Sequence, residues 1–230
     1  MKICPSILEY KAEDYFSTIK KLSPYYKYFQ IDFADGVYVD NKTATLDEFL
    51  TFTGSVLTKD RSYLKETIFD FHLMVKDYET EIKKLEEIKN IINIKNVFIH
   101  YDLFPNYSLL TSHYSLFNIG LVLNPQDQVS DLATRYRLRA IPCIQIMSIV
   151  PGAQGKPFIP ETLNKVEQLR MLGYRKEIFL DGAVNDKTLP YINSLKYRPD
   201  YLCPGSFLAK SPDEQLKKRV DYLLEFNYED

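Results

Sequence analysis

No apolar run in this sequence approaches the roughly 20 residues needed to cross a bilayer, so no membrane partner is expected. The first residues, MKICPSILEYKAEDY, turn acidic too early for a secretory signal, which makes the cytoplasm the expected compartment. Cysteine is scarce. Cys4, Cys143 and Cys203 are far apart, form no CxxC pair, and each lies in an apolar stretch (KICPSIL, IPCIQIM, YLCPGSF). They read as small buried hydrophobes in a reducing compartment. An excess of one charge is also missing: the formal net charge is −2, with acidic and basic residues mixed throughout. Nucleic-acid binding, which needs a basic face, is therefore not expected. No linker, low-complexity tract or charge block divides the chain, so residues 1–230 read as one domain.

What is present is ordinary for a globular protein, 45% apolar and 26% charged residues over a length that builds a large core without disulfides. A rhythm repeats along it: a short apolar strand, a polar turn, then a helical pattern. Eight strand candidates are KICPS, YFQIDF, IFDFHLMV, NVFIHY, IGLVLN, IPCIQIMSI, EIFLDG and DYLCPG. Between them, Tyr78, Ile82, Leu85 and Ile88 keep one helical face apolar, as do Leu216, Val220 and Leu223 near the end. That last helix opens on Ser211-Pro212-Asp213-Glu214, a cap residue followed by proline and glutamate. Another helix is expected from Asn185, and Asn41 to Glu66 reads as loop plus helix.

Alternating strands and helices imply a parallel sheet with right-handed crossovers, and eight units fit a (β/α)8 TIM barrel, a closed α/β sheet of eight parallel strands. The competing open, doubly wound sheet usually carries a glycine-rich turn after its first strand. PSILEYKAED has no glycine.

A barrel of this kind keeps its active site at the C-terminal strand ends. Those ends carry Ser6, Gln30 and Asp32, His72, Asp181, and Gly205-Ser206. Two carboxylates, an imidazole and a side-chain amide together can hold a divalent cation, whose charge would offset the cost of burying Asp32 and Asp181. Singly, Asp32 reads equally as a helix cap or a lysine partner, and His72 as a hydrogen-bonded core histidine. Glycine-containing turns follow the sixth, seventh and eighth candidates in MSIVPGAQGKPFIP, LDGAVND and CPGSFL. Their backbone N–H groups suit a phosphate.

The ordered segments KICPSIL, FQIDFADGVYV, FHLMV, GLVLNP, MSIVPG with GKPFIP, LDGAVN and PGSFL resemble the ribulose-phosphate 3-epimerases and their relatives acting on allulose 6-phosphate. The likeness runs from Cys4 to about Leu208 and includes His100 and Tyr101, where the family has a structural histidine. It implies metal-dependent epimerisation at C3 of a ketose phosphate, by default ribulose 5-phosphate to xylulose 5-phosphate. Asp32 would remove the C3 proton and Asp181 return one on the opposite face, through an ene-diolate. The metal would be held by Gln30, Asp32, His72 and Asp181. The substrate would meet Ser6, His72, Met74 and Met147. Gly152, Ala153, Gln154, Gly155, Gly182, Ala183, Gly205 and Ser206 would hold the phosphate, and a homo-oligomer is implied.

Departures from the family pattern stand at named positions. Gln30 replaces a histidine ligand, which tilts a choice among Zn, Fe, Mn and Mg toward the harder Mn or Mg. Ala34 replaces a methionine, Gln154 and Ala183 replace glycines, and Lys156 replaces a glutamine. Two alternatives therefore stay open: a sugar-phosphate-binding paralogue without epimerase activity, and an epimerase of another ketose phosphate such as allulose 6-phosphate. A Schiff-base aldolase would need a lysine near a strand's C-terminal end, and no candidate has one.

Overall fold

Short runs of Ile, Val, Leu and Phe assemble into one curled, wholly parallel sheet. A computed structural model describes residues 1–57, 64, 66–88, 90–106, 108 and 117–225. Among these the strands are β1 (Lys2–Ile3), β2 (Ser6–Ile7), β3 (Tyr28–Ala34), β4 (Ile68–Met74), β5 (Asn93–His100), β6 (Asn118–Leu123), β7 (Cys143–Met147), β8 (Glu177–Asp181) and β9 (Tyr201–Cys203). Their order across the sheet is β1-β9-β8-β7-β6-β5-β4-β3-β2. The helices are α1 (Ala12–Leu22), α2 (Leu46–Leu57), α3 (Tyr78–Ile88), α4 (Val129–Arg135), α5 (Asn164–Met171), α6 (Leu189–Asn193), α7 (Ser206–Ala209) and α8 (Asp213–Glu225). No helix among the described residues is long and apolar enough to cross a membrane.

All eight expected strands are found in place, with one difference: the first is divided. Its N-terminal side bonds to β9, where the N–H groups of Lys2, Cys4 and Ser6 donate to the carbonyls of Asp200, Leu202 and Pro204. Its other side bonds to β3, where Gln30 N–H donates to Pro5 O. Pro5 has no N–H to return a bond on that side, so the ladder is interrupted between Ile3 and Ser6. The helix expected from Asn185 begins instead at Leu189. Residues 185–188 form a turn, with Thr188 Oγ1 accepting from Asn185 N–H at 3.0 Å. Within the Asn41 to Glu66 stretch the helix is α2, and residues 58–63 and 65 of that expectation lie outside the described residues.

Strand alternation divides the packing into two layers. On β3, Phe29, Ile31 and Phe33 face the helices, where Phe33 meets the rings of Tyr15 at 5.6 Å and Phe49 at 5.7 Å. Each such fully buried side chain contributes about 1.5–3 kcal/mol. The opposite face packs Cys4, Phe98, Val122, Cys143, Phe179 and Cys203 inside the curl of the sheet. All three cysteines are free and buried, as expected. Burial pushes the Cys4 thiol up to about 11, so it stays protonated.

A polar group also lies inside, toward the strand N-termini. Tyr28 OH donates to Asp70, whose other oxygen accepts from Asn96 N–H at 2.9 Å. Burial raises the Asp70 carboxyl to about 7. Beside it Lys95 bonds Glu177 at 2.8 Å and lies over the Tyr28 and Tyr201 rings.

Candidate active site

On β3 the residues alternating with the apolar layer, Gln30, Asp32 and Ala34, point into the curl. Parallel register aligns Asp32 with His72 of β4, Gln30 with Ser6 of β2, and Met147 with Asp181 of β8. The same register on five strands carries these side chains to one end of the sheet. There Gln30 Nε2 lies 2.9 Å from Asp32 Oδ1 and 2.8 Å from Asp181 Oδ2, joining two carboxylates 149 positions apart in the sequence. His72 Nδ1 is 3.1 Å from Asp32 Oδ1 and 3.6 Å from Asp181 Oδ2. Ser6 Oγ reaches Asp181 Oδ1 at 3.5 Å.

This answers the cost of burying carboxylates in the sheet. Asp32 and Asp181 are each only 5% exposed, yet both accept hydrogen bonds from Gln30 and face one imidazole. The Asp181 carboxyl is raised to about 7, first by burial and then by the charge of Asp32, with His72 and Gln30 pulling the other way. Near neutrality Asp181 can thus both hold a proton and release one. One donor atom each from Asp32, His72 and Asp181 lies within 4.8 Å of the others, a compact buried set of oxygen and nitrogen donors suited to a divalent cation.

Gln30 presents its amide nitrogen, not its oxygen, to the two carboxylates. Its Oε1 faces Cys203 Sγ at 3.7 Å. A carboxylate can only accept, so this orientation follows from the chemistry of the neighbours.

A cavity opens above the carboxylates. It is lined by every substrate- and phosphate-site residue named from the sequence: Ser6, His72, Met74 and Met147, the loop Gly152 to Gly155, Gly182 and Ala183, and Gly205 and Ser206. Asp32 and Asp181 line it too, whereas Gln30 lies beneath them. Gly182 occupies a crowded turn: its φ is +109°, and a Cβ there would stand 2.7 Å from Ile149 Cγ1 and 3.0 Å from Ile149 N. Ala183, in a position where glycine was expected, follows with φ +48°. Gln154 Nε2 is buried without a hydrogen-bond partner among the described residues.

Two participants, Gln145 and Asn124, escaped the sequence reading, and a third, His100, was read there only as a structural histidine. Gln145 on β7 donates to Asp181 Oδ2 at 3.1 Å, while its own Oε1 has no partner among the described residues. Its signal was available: Cys143, Gln145 and Met147 alternate onto the inner face, so an amide two residues before Met147 must point toward the site. His100 Nε2 lies 2.9 Å from His72 Nε2, and His100 Nδ1 lies 2.9 Å from Asn124 Oδ1. Burial and the nearness of His72 hold the His100 pKa well below the usual imidazole value. Asn124, at the end of β6, carried no comparable signal in a run that reads as plain strand.

The sequence profile of the ribulose-phosphate 3 epimerase family matches residues 2–197. A "Ribulose-phosphate 3-epimerase" of Helicobacter pylori is 25% identical over 222 residues, covering 94% of each chain. One of Escherichia coli is 28% identical over 227 residues, 95% of this chain and 92% of the relative. One of Buchnera aphidicola is 32% identical over 214 residues, 90% and 86% of the two chains. Among solved structures, a 3-hexulose-6-phosphate synthase from Salmonella typhimurium superposes with a TM-score of 0.63 at 12% identity, covering 98% of this chain and 100% of that one. A tryptophan synthase alpha-subunit from Pyrococcus furiosus gives 0.65 at 12% identity, covering 97% and 98%. These two likenesses concern the fold. With the profile covering residues 2–197, the chain belongs to the ribulose-phosphate 3-epimerase family.

Proposed function

We propose that the chain epimerises a ketose phosphate at C3, with ribulose 5-phosphate to xylulose 5-phosphate as the default reaction. The observation that carries this reading is the approach of Asp32 and Asp181, from β3 and β8, to one amide nitrogen at 2.9 and 2.8 Å. Two acid–base groups so close beneath a cavity can address opposite faces of one carbon. Asp32 takes the C3 proton. Asp181, whose carboxyl is raised to about 7, returns a proton on the other face. Ser6 orients the sugar, and Met74 and Met147 exclude water beside the reacting carbon. The N–H groups of the loops carrying Gly152 to Gly155, Gly182, Ala183, Gly205 and Ser206 receive the phosphate.

Asp32, His72 and Asp181 would hold one divalent ion, which supplies charge stabilisation for the ene-diolate oxygens. Gln30 would join as a fourth ligand through Oε1 only if its amide turned by half a rotation, putting Nε2 opposite Cys203 Sγ. The fold reading is a single (β/α)8 barrel in which Lys2–Ile7 is one interrupted strand closing the sheet; its bonds to β9 on one side and β3 on the other support this. A cytoplasmic homo-oligomer completes the proposal.

The second reading, a sugar-phosphate binder without epimerase activity, is favoured by one observation: the Gln30 nitrogen stands where the family pattern has a ligand. A metal-replete screen over several ketose phosphates, alongside elemental analysis, separates the two. Near-stoichiometric divalent metal and turnover of at least one ketose phosphate are expected. Tight sugar-phosphate binding with no turnover would favour the second reading.

A further inference from the structure

The two ring nitrogens of His72 have different neighbours. Nδ1 faces the carboxylates, and Nε2 lies 2.9 Å from His100 Nε2. Two imidazole nitrogens at that distance share one proton, and which ring owns it is decided further out. His100 Nδ1 lies 2.9 Å from Asn124 Oδ1. The orientation of Asn124 is itself fixed, because Nδ2 stands 3.2 Å from Asp102 Oδ2 and 2.8 Å from Tyr38 OH. A carboxylate only accepts, so the atom facing Asp102 must be the amide nitrogen, and the amide oxygen faces His100. Tyr38 OH donates to Asp102 Oδ1 at 2.8 Å and so accepts from Asn124. Tyr38 also lies against His100, with ring centroids 4.6 Å apart.

Read inward from Asp102, the proton positions follow one another. Asn124 accepts from His100 Nδ1–H. A neutral His100 then offers a lone pair at Nε2, and His72 must donate to it from Nε2–H. His72, His100 and Asn124 are at most 1% exposed, so water does not compete at these contacts.

We propose that Asp102 and Asn124, acting through His100, are positioning residues that fix the His72 tautomer with its proton on Nε2 and reserve Nδ1 for a cation. This rests on the proposed metal-dependent reading, and it adds to that reading residues that touch neither ion nor substrate. Partners of this kind typically change metal affinity by about 10–100-fold when removed.

The test is favoured by composition, since the chain has three histidines, His72, His100 and His113. Protein labelled with 15N-histidine is examined by long-range 1H–15N correlation, metal-free and loaded with Zn2+ as a diamagnetic probe. The expected result is His100 protonated at Nδ1 in both states and His72 protonated at Nε2 when loaded. Chelator competition should show Asn124→Leu weakening Zn2+ binding by about 10–100-fold. Metal-free wild type with His100 protonated at Nε2 would overturn the proposal. So would a folded Asn124→Leu protein that binds Zn2+ as wild type does. If Asn124→Leu does not fold, the wild-type tautomers decide, with Tyr38→Phe expected to give a smaller loss of affinity. Wild type that binds no Zn2+ but keeps the His100 tautomer would sink the metal reading instead.

Discussion

Two glycines beside the cavity separate backbone strain from crowding. Gly155 has φ +81° and would meet nothing within 4 Å if given a Cβ; Gly182 has φ +109° and would drive a Cβ to 2.7 Å from Ile149 Cγ1 and 3.0 Å from Ile149 N. Gly155→Ala should therefore cost only the conformational strain of an L-residue there, about 1–2 kcal/mol. Gly182→Ala adds overpacking of about 1–3 kcal/mol, for a total of about 2–5 kcal/mol. The backbone cannot easily yield, because Ser148 N–H is tied to Asp181 O at 2.7 Å and Ser148 Oγ bonds the same carbonyl at 3.0 Å. Urea denaturation with matched slopes measures both changes. Relief of the clash must also move Asp181, so kcat should fall far more in Gly182→Ala, where a 1 Å displacement costs about 100-fold. Equal stability losses in the two variants would refute the crowding argument.

Other expectations follow from the interior polar groups. The Asp70 carboxyl, raised to about 7 from 3.8, binds its proton more tightly in the folded state. Its contribution is fully present below the unfolded pKa and is lost as pH rises through about 7, roughly 4 kcal/mol in all. The stability of wild type relative to Asp70→Asn should thus decline from about pH 4 to about pH 7 in urea titrations and level off above that, and a flat difference across this window would contradict it. Gln145→Met removes a buried carbonyl that has no partner among the described residues, but also a donor to Asp181. Its stability should change by less than about 1.5 kcal/mol while kcat falls, measured by denaturation and steady-state assay. Gln30→His should tighten Zn2+ binding in chelator competition, since imidazole suits zinc better than an amide does. Unchanged affinity would mean that position 30 takes no part in holding the ion.

The strands were legible because each is a short apolar run bounded by polar turns, and the helix at Tyr78–Ile88 because its apolar face repeats at helical spacing. The interruption at Pro5 was written in the sequence too, as a missing N–H, but its effect depends on which neighbour each side meets. Helix α6 started late because residues 185–188 spend their hydrogen bonds on a turn closed by Thr188, a choice that local sequence leaves open. Asp32, His72 and Asp181 were readable as polar breaks at strand ends. The orientation of Gln30 was not, since an amide offers both a donor and an acceptor and only the surrounding carboxylates select between them. The link from His72 to Asn124 joins three strands, and nothing in linear spacing marks it.

The most direct measurement is turnover of the active ketose phosphate in D2O, followed at C3 by NMR. Two carboxyls working on opposite faces of one carbon predict that the epimerised product carries deuterium at C3, and that Asp32→Asn and Asp181→Asn each lose at least about 100-fold in rate while staying folded. Product formed without deuterium at C3, or undiminished turnover in either variant, would contradict the account.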